Sequence, residues 1–564
     1  METLEEEIKI QHFTEWLQAN KVELRGCKIK YCGPNKGFGL FSSSQNSASP
    51  ILLVVPLDLS ITPMSVLQDP SLGLKCRAMF EQGEVDDRFL MILFLTVERL
   101  RKNSLWKPYI DMLPVTFGNP LWFNEDEILE LKGTTLYKAT QMQKKKLEGL
   151  CEEKVKDLVM EILDGEAESE VRYEDFLWAN SIFWTRALNI PFPHSYVFPK
   201  TSEEENCSVP LDAEGGIITS EVSPPSVDEN GSHGCELASG VGANAVNSAQ
   251  GESVWVEGLI PGIDFCNHVI KSTTTWEVDS LGLTTGVPAS MYLLSAEQGT
   301  IRNEEEICIS YGDKGNEELL YLYGFVIDDN PDDYLMVHYP VEAIQSVPFA
   351  DSKAQLLEVQ KGEMRCLLPR NLLERGFFSD SSPQNEDSVQ RGHDRMCSFS
   401  WSGQRKIPSY LNKLVFPEEF LTSLRTIAMN EEELLKVSSL LEELVGNEEE
   451  KQPSDTEVKA AIWEVCGDSG ALQLLVDLLQ TKMMELEDGS GSEASDTELL
   501  ENARVIEIPE GSMRHDAGNV TSAEKLISRN SWCSIIYRRG QKQLTRLFLK
   551  EAEHALHLCL SEQN

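Results

Sequence analysis

The sequence predicts an α+β protein in which a mostly-β core carries a helical insert and is followed by an all-α C-terminal domain. Three observations support this prediction. Short β-type runs occupy residues 22–64 and return at 255–312. Between them, from about 70 to 195, apolar residues recur with helical period. Beyond about residue 340 the helical period returns and continues to the end of the sequence.

The individual elements follow from local patterns. Residues 3–20 place Phe13, Trp16 and Leu17 on one helical face. The runs VELRGCKIKYC and ILLVVPLDL are β-type and flank the Gly-rich stretch GPNKGFGLF. DRFLMILFLTVERLRKNS is amphipathic, and EDFLWANSIFWTRALN is apolar nearly all round, which predicts a buried helix. EEICISYG closes the second group of strands, and a helix through NEELLYLYGF follows it.

Two stretches of polar composition are predicted to be inserts without fixed structure. Residues from about 200 to 252 are rich in Ser, Gly, Glu and Asn, and they cannot bury enough apolar surface to offset the entropy of ordering. Residues from about 486 to 527 contain LEDGSGSEASDTE and are predicted to be a flexible acidic insert. We therefore expect a first domain over 1–330 and a helical second domain over 340–564.

Composition and charge exclude several classes of function. The formal net charge of -42 disfavours nucleic-acid binding and favours a basic protein partner. The 13 cysteines never fall as CxxC, which argues against a metal centre or a disulfide framework and fits an intracellular compartment. METLEEEIKI has neither a signal-peptide nor a transit-peptide pattern, and no apolar run is long enough to span a membrane. We expect a cytoplasmic or nuclear protein, monomeric, with no metal.

The stretch LIPGIDFCNH places three polar side chains on a short apolar run. Asp264, Asn267 and His268 would each need a hydrogen-bond partner if they were buried there. Taken alone, the stretch is typical of a turn. A reactive site is the alternative.

The Gly-rich stretch GPNKGFGLF carries only a weak signal by itself. It lacks the GK[ST] ending of a P-loop, and it lacks the third glycine of a dinucleotide fingerprint at a helix start. A plain turn is the favoured interpretation. Its glycines would also permit close approach of the backbone to a ligand.

Three further residues are candidates for a site. Arg186 lies in a largely apolar helix and, if buried, needs a carboxylate partner such as Asp264 or a ligand carboxylate; an arginine that reaches the surface is the alternative. Tyr311 in ICISYG and Tyr323 in YLYGF could line a narrow aromatic channel that holds an amine. For either tyrosine alone, half-buried packing is the favoured interpretation.

Taken together and in this order, the motifs resemble a SET-domain methyltransferase. GFG follows the first strands, TR ends a buried helix, and DFCNH and ISYG precede NEELLYLYGFV. The chain is similar to the Rubisco large-subunit methyltransferase-like class in particular, for which SLWKPYIDMLP and LWFNEDEILELKGT are highly specific. The resemblance covers nearly the whole chain outside the two inserts. It implies a split SET domain and a C-terminal helical substrate-binding domain.

The resemblance also implies an enzyme, a cofactor and roles for residues. The implied enzyme is a protein-lysine N-methyltransferase that uses S-adenosyl-L-methionine and acts on a non-histone protein. The residues that would bind the cofactor are Gly37, Phe38, Gly39, Arg186, Asn267, His268 and Tyr311. Those that would bind the substrate are Thr185, Arg186, Asp264 and Tyr323, and the catalytic tyrosines would be Tyr311 and Tyr323.

The chain departs from the plastid members of this class at several positions. Lys36 stands where a glutamate is common, and Ile190 stands where those members place an arginine that contacts substrate. Their pocket tyrosine is missing, although Trp276 could supply an aromatic wall. A plastid substrate such as Rubisco is therefore disfavoured. Two alternatives stay open, namely methylation of a histidine and a non-catalytic SET-fold binding protein.

Overall fold

A computed structural model describes residues 4–33, 36–43, 50–167, 169–198, 253–296, 304–379, 407–445, 452–505 and 525–563. The predicted disordered insert at 200–252 lies outside these residues. The helices are α1 (Leu4–Ala19), α2 (Pro63–Gln68), α3 (Gly73–Glu81), α4 (Asp87–Leu100), α5 (Lys107–Ile110), α6 (Glu125–Leu129), α7 (Thr135–Leu150), α8 (Lys156–Leu163), α9 (Tyr173–Arg186), α10 (His194–Val197), α11 (Asn316–Glu318), α12 (Ala350–Val359), α13 (Glu418–Ala428), α14 (Glu431–Val445), α15 (Asp455–Val465), α16 (Ser469–Glu487), α17 (Glu493–Asn502) and α18 (Arg529–Gln563). The strands are β1 (Glu23–Leu24), β2 (Cys27–Tyr31), β3 (Phe38–Ser42), β4 (Ile51–Pro56), β5 (Leu188–Pro193), β6 (Ser253–Gly258), β7 (Thr274–Asp279), β8 (Ser290–Ser295), β9 (Glu306–Ile307), β10 (Tyr334–His338), β11 (Arg365–Pro369), β12 (Ala503–Val505) and β13 (Lys525–Ile527).

The chain divides into two compact units. The first contains Met1–Val115 and Leu150–Asp313, and the second contains Thr116–Gly149 and Lys314–Asn564. This division differs in two places from the predicted boundary near residue 330. The second unit contains residues 116–149, which were predicted to belong to the helical insert of the first domain. It also contains residues 314–330, which were predicted to end the first domain.

In its described residues, the first unit contains three small sheets. Strands β1, β4, β8 and β7 form an antiparallel sheet in the order β1-β4-β8-β7, with β4 buried from Ile51 to Val55. A second sheet has the order β2-β3-β9, and β5 pairs with β6. Helices α4 and α9 pack against each other, and the Asp86 side chain caps α4 by accepting the Phe89 amide.

The second unit is a helical assembly around α18. Helices α13, α16 and α18 surround a buried apolar cluster that includes Phe420, Leu475 and Phe548. Residues from 116–149 belong to this unit because Phe123, Leu131 and Leu136 pack with side chains from its C-terminal part in a second cluster, completed by Leu320, Cys533 and Tyr537. Within the described residues, no helix combines the length and the apolar character needed to cross a bilayer.

The α+β class is confirmed, but the C-terminal region is not all-α. Strands β10 and β11 form an antiparallel pair, and the short strands β12 and β13 form a parallel pair. The burial of β11 alternates residue by residue, which is the period of a half-buried strand. Five residues of alternation are too few to stand out within a long helical stretch of sequence.

The predicted flexible acidic insert is also partly wrong. Residues 493–502 of that segment form α17, which begins after a Ser492 side chain that accepts the Ser495 amide. Asp496 of this helix is buried and forms ion pairs with Arg538 and Lys542 of α18. The middle of the insert, residues 506–524, lies outside the described residues.

Candidate active site

The segment LIPGIDFCNH lies in the first unit and is buried over most of its length. Residues 259–266 are buried, whereas Asn267 and His268 are half-buried. Gly262 has a φ of +102°, in the left-handed region that favours glycine, and Ile263–Phe265 forms one 3-10 turn after it. This turn separates a buried acid from two polar residues at the edge of the core.

The Asp264 carboxylate has three partners. Its Oδ2 accepts a hydrogen bond from the Tyr109 hydroxyl at 2.6 Å, and its Oδ1 accepts one from the Gly262 amide at 3.1 Å. Nη1 of Arg186 lies 3.5 Å from Oδ2. Burial raises the pKa of Asp264, and these three partners oppose the rise. Because the Asp264 side chain is 0% exposed, we infer that it holds Arg186 in place. Direct contact of Asp264 with a substrate stays a prediction.

Arg186 ends α9 and extends to the LIPGIDFCNH segment. Its Nη1 donates to the Asp264 carbonyl oxygen at 2.7 Å, and its guanidinium lies 4.8 Å from the centre of the Phe265 ring. The side chain is 12% exposed. Its Nε–H is buried and has no hydrogen-bond partner among the residues that the structure describes. A buried donor without an acceptor costs roughly 1–3 kcal/mol, so this group favours a ligand that brings an acceptor oxygen.

Tyr109 is a site residue that the sequence analysis did not single out. Its ring is fully buried. The centre of this ring lies 6.1 Å from that of Phe13, 6.4 Å from that of Trp16 and 6.3 Å from that of Phe265. Burial raises the pKa of Tyr109 well above its usual value, so the hydroxyl keeps its proton and donates a hydrogen bond to Asp264. The one signal for it in the sequence is its place in SLWKPYIDMLP, which identifies a class but assigns no role.

We predict that Tyr109→Phe lowers the free energy of unfolding by roughly 1–3 kcal/mol, because a buried Asp264 oxygen loses its shortest hydrogen bond while the ring packing is kept. Urea denaturation of the purified protein measures this loss. Tyr292→Phe is the matched control, since it removes a hydroxyl that donates to Glu277 at 2.5 Å, and Glu277 is an exposed residue. A loss no greater than that of the control would contradict the anchoring role of Tyr109.

The GFG motif forms a tight turn and then enters β3. Gly37 has a φ of +67°. Its carbonyl accepts the Cys32 amide at 2.7 Å, and its own amide donates to the Gly33 carbonyl at 2.9 Å. Phe38 and Gly39 then pair with β2 in antiparallel register. The plain turn favoured for this motif is present, and it leads directly into a strand of the site.

A side chain at Gly39 would collide with its surroundings. A Cβ atom there would lie 2.8 Å from the Cys32 Sγ, and 3.3 Å from both the Asn267 Nδ2 and the Glu306 Oε1. Glycine at position 39 therefore lets β3 pack closely against the DFCNH segment without displacing these three side chains.

The backbones of DFCNH and ICISYG pair with each other. The Ile309 amide donates to the Asn267 carbonyl at 3.0 Å, and the Val269 amide donates to the Ile309 carbonyl at 3.0 Å. These bonds make a parallel bridge between His268 and Ile309. The pairing brings two motifs that are some forty residues apart into one place.

Tyr311 is held at both ends by the DFCNH segment. Its amide donates to the His268 Nδ1 at 3.1 Å, and its hydroxyl donates to the Cys266 carbonyl at 2.8 Å. The centres of the Tyr311 and His268 rings lie 5.0 Å apart. Because His268 Nδ1 accepts a hydrogen bond, the proton of the neutral ring form is on Nε2. The position and orientation of the Tyr311 hydroxyl are therefore fixed by the fold.

The remaining predicted residues are placed as follows. Thr185 is half-buried on the last turn of α9, and its hydroxyl donates to the Ser181 carbonyl at 2.7 Å. Tyr323 belongs to the second unit, where it ends a π-helical turn over Leu319–Tyr323. Burial raises the pKa of Tyr323 to about 12, so its phenol is neutral at physiological pH.

A split β core in which GFG, DFCNH and ISYG converge is the arrangement of a SET domain. The crystal structure of the SET domain of LSMT bound to lysine and AdoHcy matches with a TM-score of 0.57 and 18% identity, over 98% of this chain and 92% of that one. The structure of Rubisco LSMT bound to sinefungin and monomethyllysine also matches with a TM-score of 0.57, at 19% identity over 98% and 93% of the two chains. These likenesses show the fold.

Curated relatives extend the likeness to the sequence. The Rubisco large-subunit N-methyltransferase of Pisum sativum is 30% identical over 182 residues, which are 32% of this chain and 35% of that protein. A ribosomal lysine N-methyltransferase of Schizosaccharomyces pombe is 25% identical over 344 residues, 59% and 49% of the two chains. The actin-histidine N-methyltransferase of Gallus gallus is 28% identical over 186 residues, 31% and 30% of the two chains.

The aligned segments thus span from about a third to a half of the length of these relatives. No protein-family model matches the chain. The predicted resemblance to the SET-domain proteins of the Rubisco large-subunit methyltransferase-like class is confirmed in sequence and in fold.

Proposed function

We propose that this chain is an S-adenosyl-L-methionine-dependent protein-lysine N-methyltransferase that acts on a non-histone protein. The observation that carries the proposal is the fixed position of Tyr311, whose hydroxyl donates to the Cys266 carbonyl beside the His268 ring. The names of the pea and fission-yeast relatives, which describe lysine N-methyltransferases of Rubisco and of the ribosome, support the same chemistry.

The residues present fit this cofactor. The buried Arg186 Nε–H needs an acceptor such as a carboxylate. The turn at Gly37 leads into β3, where the backbone of Gly39 lies close to the DFCNH segment. When bound, S-adenosyl-L-methionine supplies an electrophilic methyl group on a positively charged sulfur. The residues that would hold it are Gly37, Phe38, Gly39, Arg186, Asn267, His268 and Tyr311.

The remaining task of the protein is to present a neutral nitrogen in the correct orientation. A lysine ammonium has an ordinary pKa of about 10.4 and must lose its proton before it reacts. A channel that desolvates the side chain lowers that pKa and favours the neutral amine. A fixed tyrosine hydroxyl and backbone carbonyl can accept the amine N–H groups and weak C–H contacts, each worth roughly 0.5–1 kcal/mol. The rate then depends mainly on orientation.

Assignment of Thr185 and Tyr323 to the acceptor side rests on the resemblance alone and is part of this proposal. Asp264 acts indirectly in it, through Arg186, because its own side chain is enclosed.

Two measurements test the proposal. Calorimetric titration with S-adenosyl-L-methionine should show binding. Radiolabelled methyl transfer into lysate from a strain lacking this protein, followed by mass spectrometry, should locate the methyl group on a lysine. Failure to bind the cofactor would overturn the enzyme proposal and leave a non-catalytic SET-fold binding protein.

Methylation of a histidine is the second candidate, because actin-histidine N-methyltransferases are among the relatives. The pH dependence of the rate separates the two acceptors. A histidine, with an ordinary pKa near 6.5, is already neutral at pH 7.5, so its rate should level off there. The rate on a lysine should continue to rise towards pH 9. Mapping of the methyl group by mass spectrometry decides the matter directly.

We further propose a protein substrate with a basic surface, no nucleic-acid partner, a monomeric state, and a cytoplasmic or nuclear location. The net charge of -42 supports the first two, since such a surface attracts cationic partners and repels phosphates. All ten cysteines of the described ranges are free thiols, which suits a reducing compartment. Light scattering and fractionation test the oligomeric state and the location.

A further inference from the structure

The carboxylate of Glu306 connects a surface lysine to the side chain of Asn267. Its Oε1 accepts the Asn267 Nδ2–H at 2.6 Å, and its Oε2 accepts from the Lys36 Nζ at 3.1 Å. The Lys36 side chain is 58% exposed and that of Glu306 is 21% exposed. The two oxygens therefore have different partners, one near solvent and one in the site.

Glu306 is also confined on the side of the site. The Cys32 Sγ lies 4.0 Å from its Oε1, and a Cβ atom at Gly39 would lie 3.3 Å from the same oxygen. An asparagine amide can rotate so that its oxygen and nitrogen exchange places, unless a fixed partner selects one orientation. The confined carboxylate selects the orientation in which Nδ2 points to Glu306 and the amide oxygen points away from it.

Charge along the β2-β3-β9 sheet supports the same arrangement. Lys28 and Lys30 of β2 form ion pairs with Glu304, which lies two residues before the start of β9. Lys36 pairs with Glu306 on β9 itself, and this hydrogen bond raises the pKa of Lys36, which keeps it charged. These three lysines therefore hold Glu304 and Glu306, at the start of the segment that continues through β9 to Tyr311.

We propose that Glu306 is a positioning residue for the cofactor, which fixes the Asn267 amide, and that Lys36 holds the Glu306 carboxylate in place. The proposal rests on the proposed function, because Asn267 is a cofactor-binding residue only there. Neither Glu306 nor Lys36 needs to touch the cofactor for this role.

The experiment is calorimetric titration of the full chain with S-adenosyl-L-methionine at 50 mM and 500 mM NaCl. Glu306→Ala should raise Kd by about tenfold or more, since a hydrogen bond to a charged group is lost and the amide is freed. Glu306→Gln, which keeps an acceptor oxygen, should raise Kd about two- to fivefold. Lys36→Met should raise Kd about two- to fivefold at 50 mM NaCl, and the difference should shrink at 500 mM because salt screens an exposed pair. Lys36→Arg, which keeps the positive charge, should bind the cofactor with the Kd of the wild type.

Lys28→Met is the matched control. It removes one exposed lysine charge from the same sheet, but its partner is Glu304. If Lys36→Met and Lys28→Met change Kd equally, or if folded Glu306→Ala binds within about twofold of the wild type, the positioning role is wrong. Because Lys36 is exposed, its variants test the proposal even if Glu306→Ala fails to fold. If the wild type itself does not bind, the proposed function fails and this proposal fails with it.

A positioning role is further separated from a general structural one by steady-state kinetics. Lys36→Met should raise the KM for S-adenosyl-L-methionine while kcat at saturating cofactor and the KM for the protein substrate stay near wild type. An equal fall of kcat in Lys36→Met and Lys28→Met would contradict it.

Discussion

Tyr311→Phe is expected to lower the rate of methyl transfer by more than about tenfold while the protein stays folded. The hydroxyl donates to the Cys266 carbonyl, and the Tyr311 amide donates to the His268 ring. Removal of the hydroxyl therefore leaves the acceptor nitrogen without an oriented partner. The ring and its contact with His268 remain in the variant. Transfer of a labelled methyl group to the mapped substrate, at saturating cofactor, measures the loss.

Tyr292→Phe controls for the removal of a tyrosine hydroxyl elsewhere in the same unit. Its rate should stay close to wild type. Circular dichroism and cofactor titration of Tyr311→Phe show whether the loss is one of rate and not of folding. A near wild-type rate for Tyr311→Phe would contradict the role assigned to this hydroxyl.

Asp496→Asn is expected to destabilise the second unit by roughly 3–5 kcal/mol. It leaves the buried Lys542 without its ion-pair partner, and it removes one of the two acids, Asp496 and Glu130, that pair with Arg538. The Arg538 Nε and Nη2 donate to Oδ1 at 2.8 and 2.6 Å, and the Lys542 Nζ donates to Oδ2 at 2.7 Å. The side chains of Asp496 and Lys542 are both 0% exposed. Hydrogen exchange followed by mass spectrometry should show faster exchange in α17 and α18.

Glu493→Gln is the matched control for this change. It neutralises an acid on the same helix, but one whose ion pair with Arg546 is substantially exposed. Such pairs contribute about 0–1 kcal/mol. Equal protection of α17 in the two variants would show that the buried network does not stabilise this helix.

The sequence allowed the central elements of the fold to be predicted where one physical signal dominated. The apolar period of DRFLMILFLTVERL predicts α4, and the largely apolar stretch WANSIF predicts the buried part of α9. The convergence of GFG, DFCNH and ISYG could not be derived from spacing, because it depends on pairing between segments distant in the chain. The convergence was predicted only because the three motifs, taken in order, resemble a SET domain.

The errors arose where a distant partner decides the structure. The Ser/Gly/acidic composition of residues 486–505 is typical of a flexible segment, yet Asp496 finds two cations on α18 more than forty residues later. Tyr109 was overlooked for the same reason, since its acceptor, Asp264, lies 155 residues further along the chain. Composition and local period contain no information about such pairs.

The bridge between His268 and Ile309, together with the β2-β3-β9 sheet, has a consequence for how the protein reaches its native state. The candidate site combines β2 and β3, the end of α9, the DFCNH segment and β9, so about 280 residues separate its first part, at Cys27, from its last, at Ile307. Closing such long loops is slow compared with forming helices. In refolding from urea, recovery of ligand binding should therefore lag behind recovery of the helical circular-dichroism signal. A chain that ended before β9 could form the helices that precede it, but it would lack the last part of the candidate site.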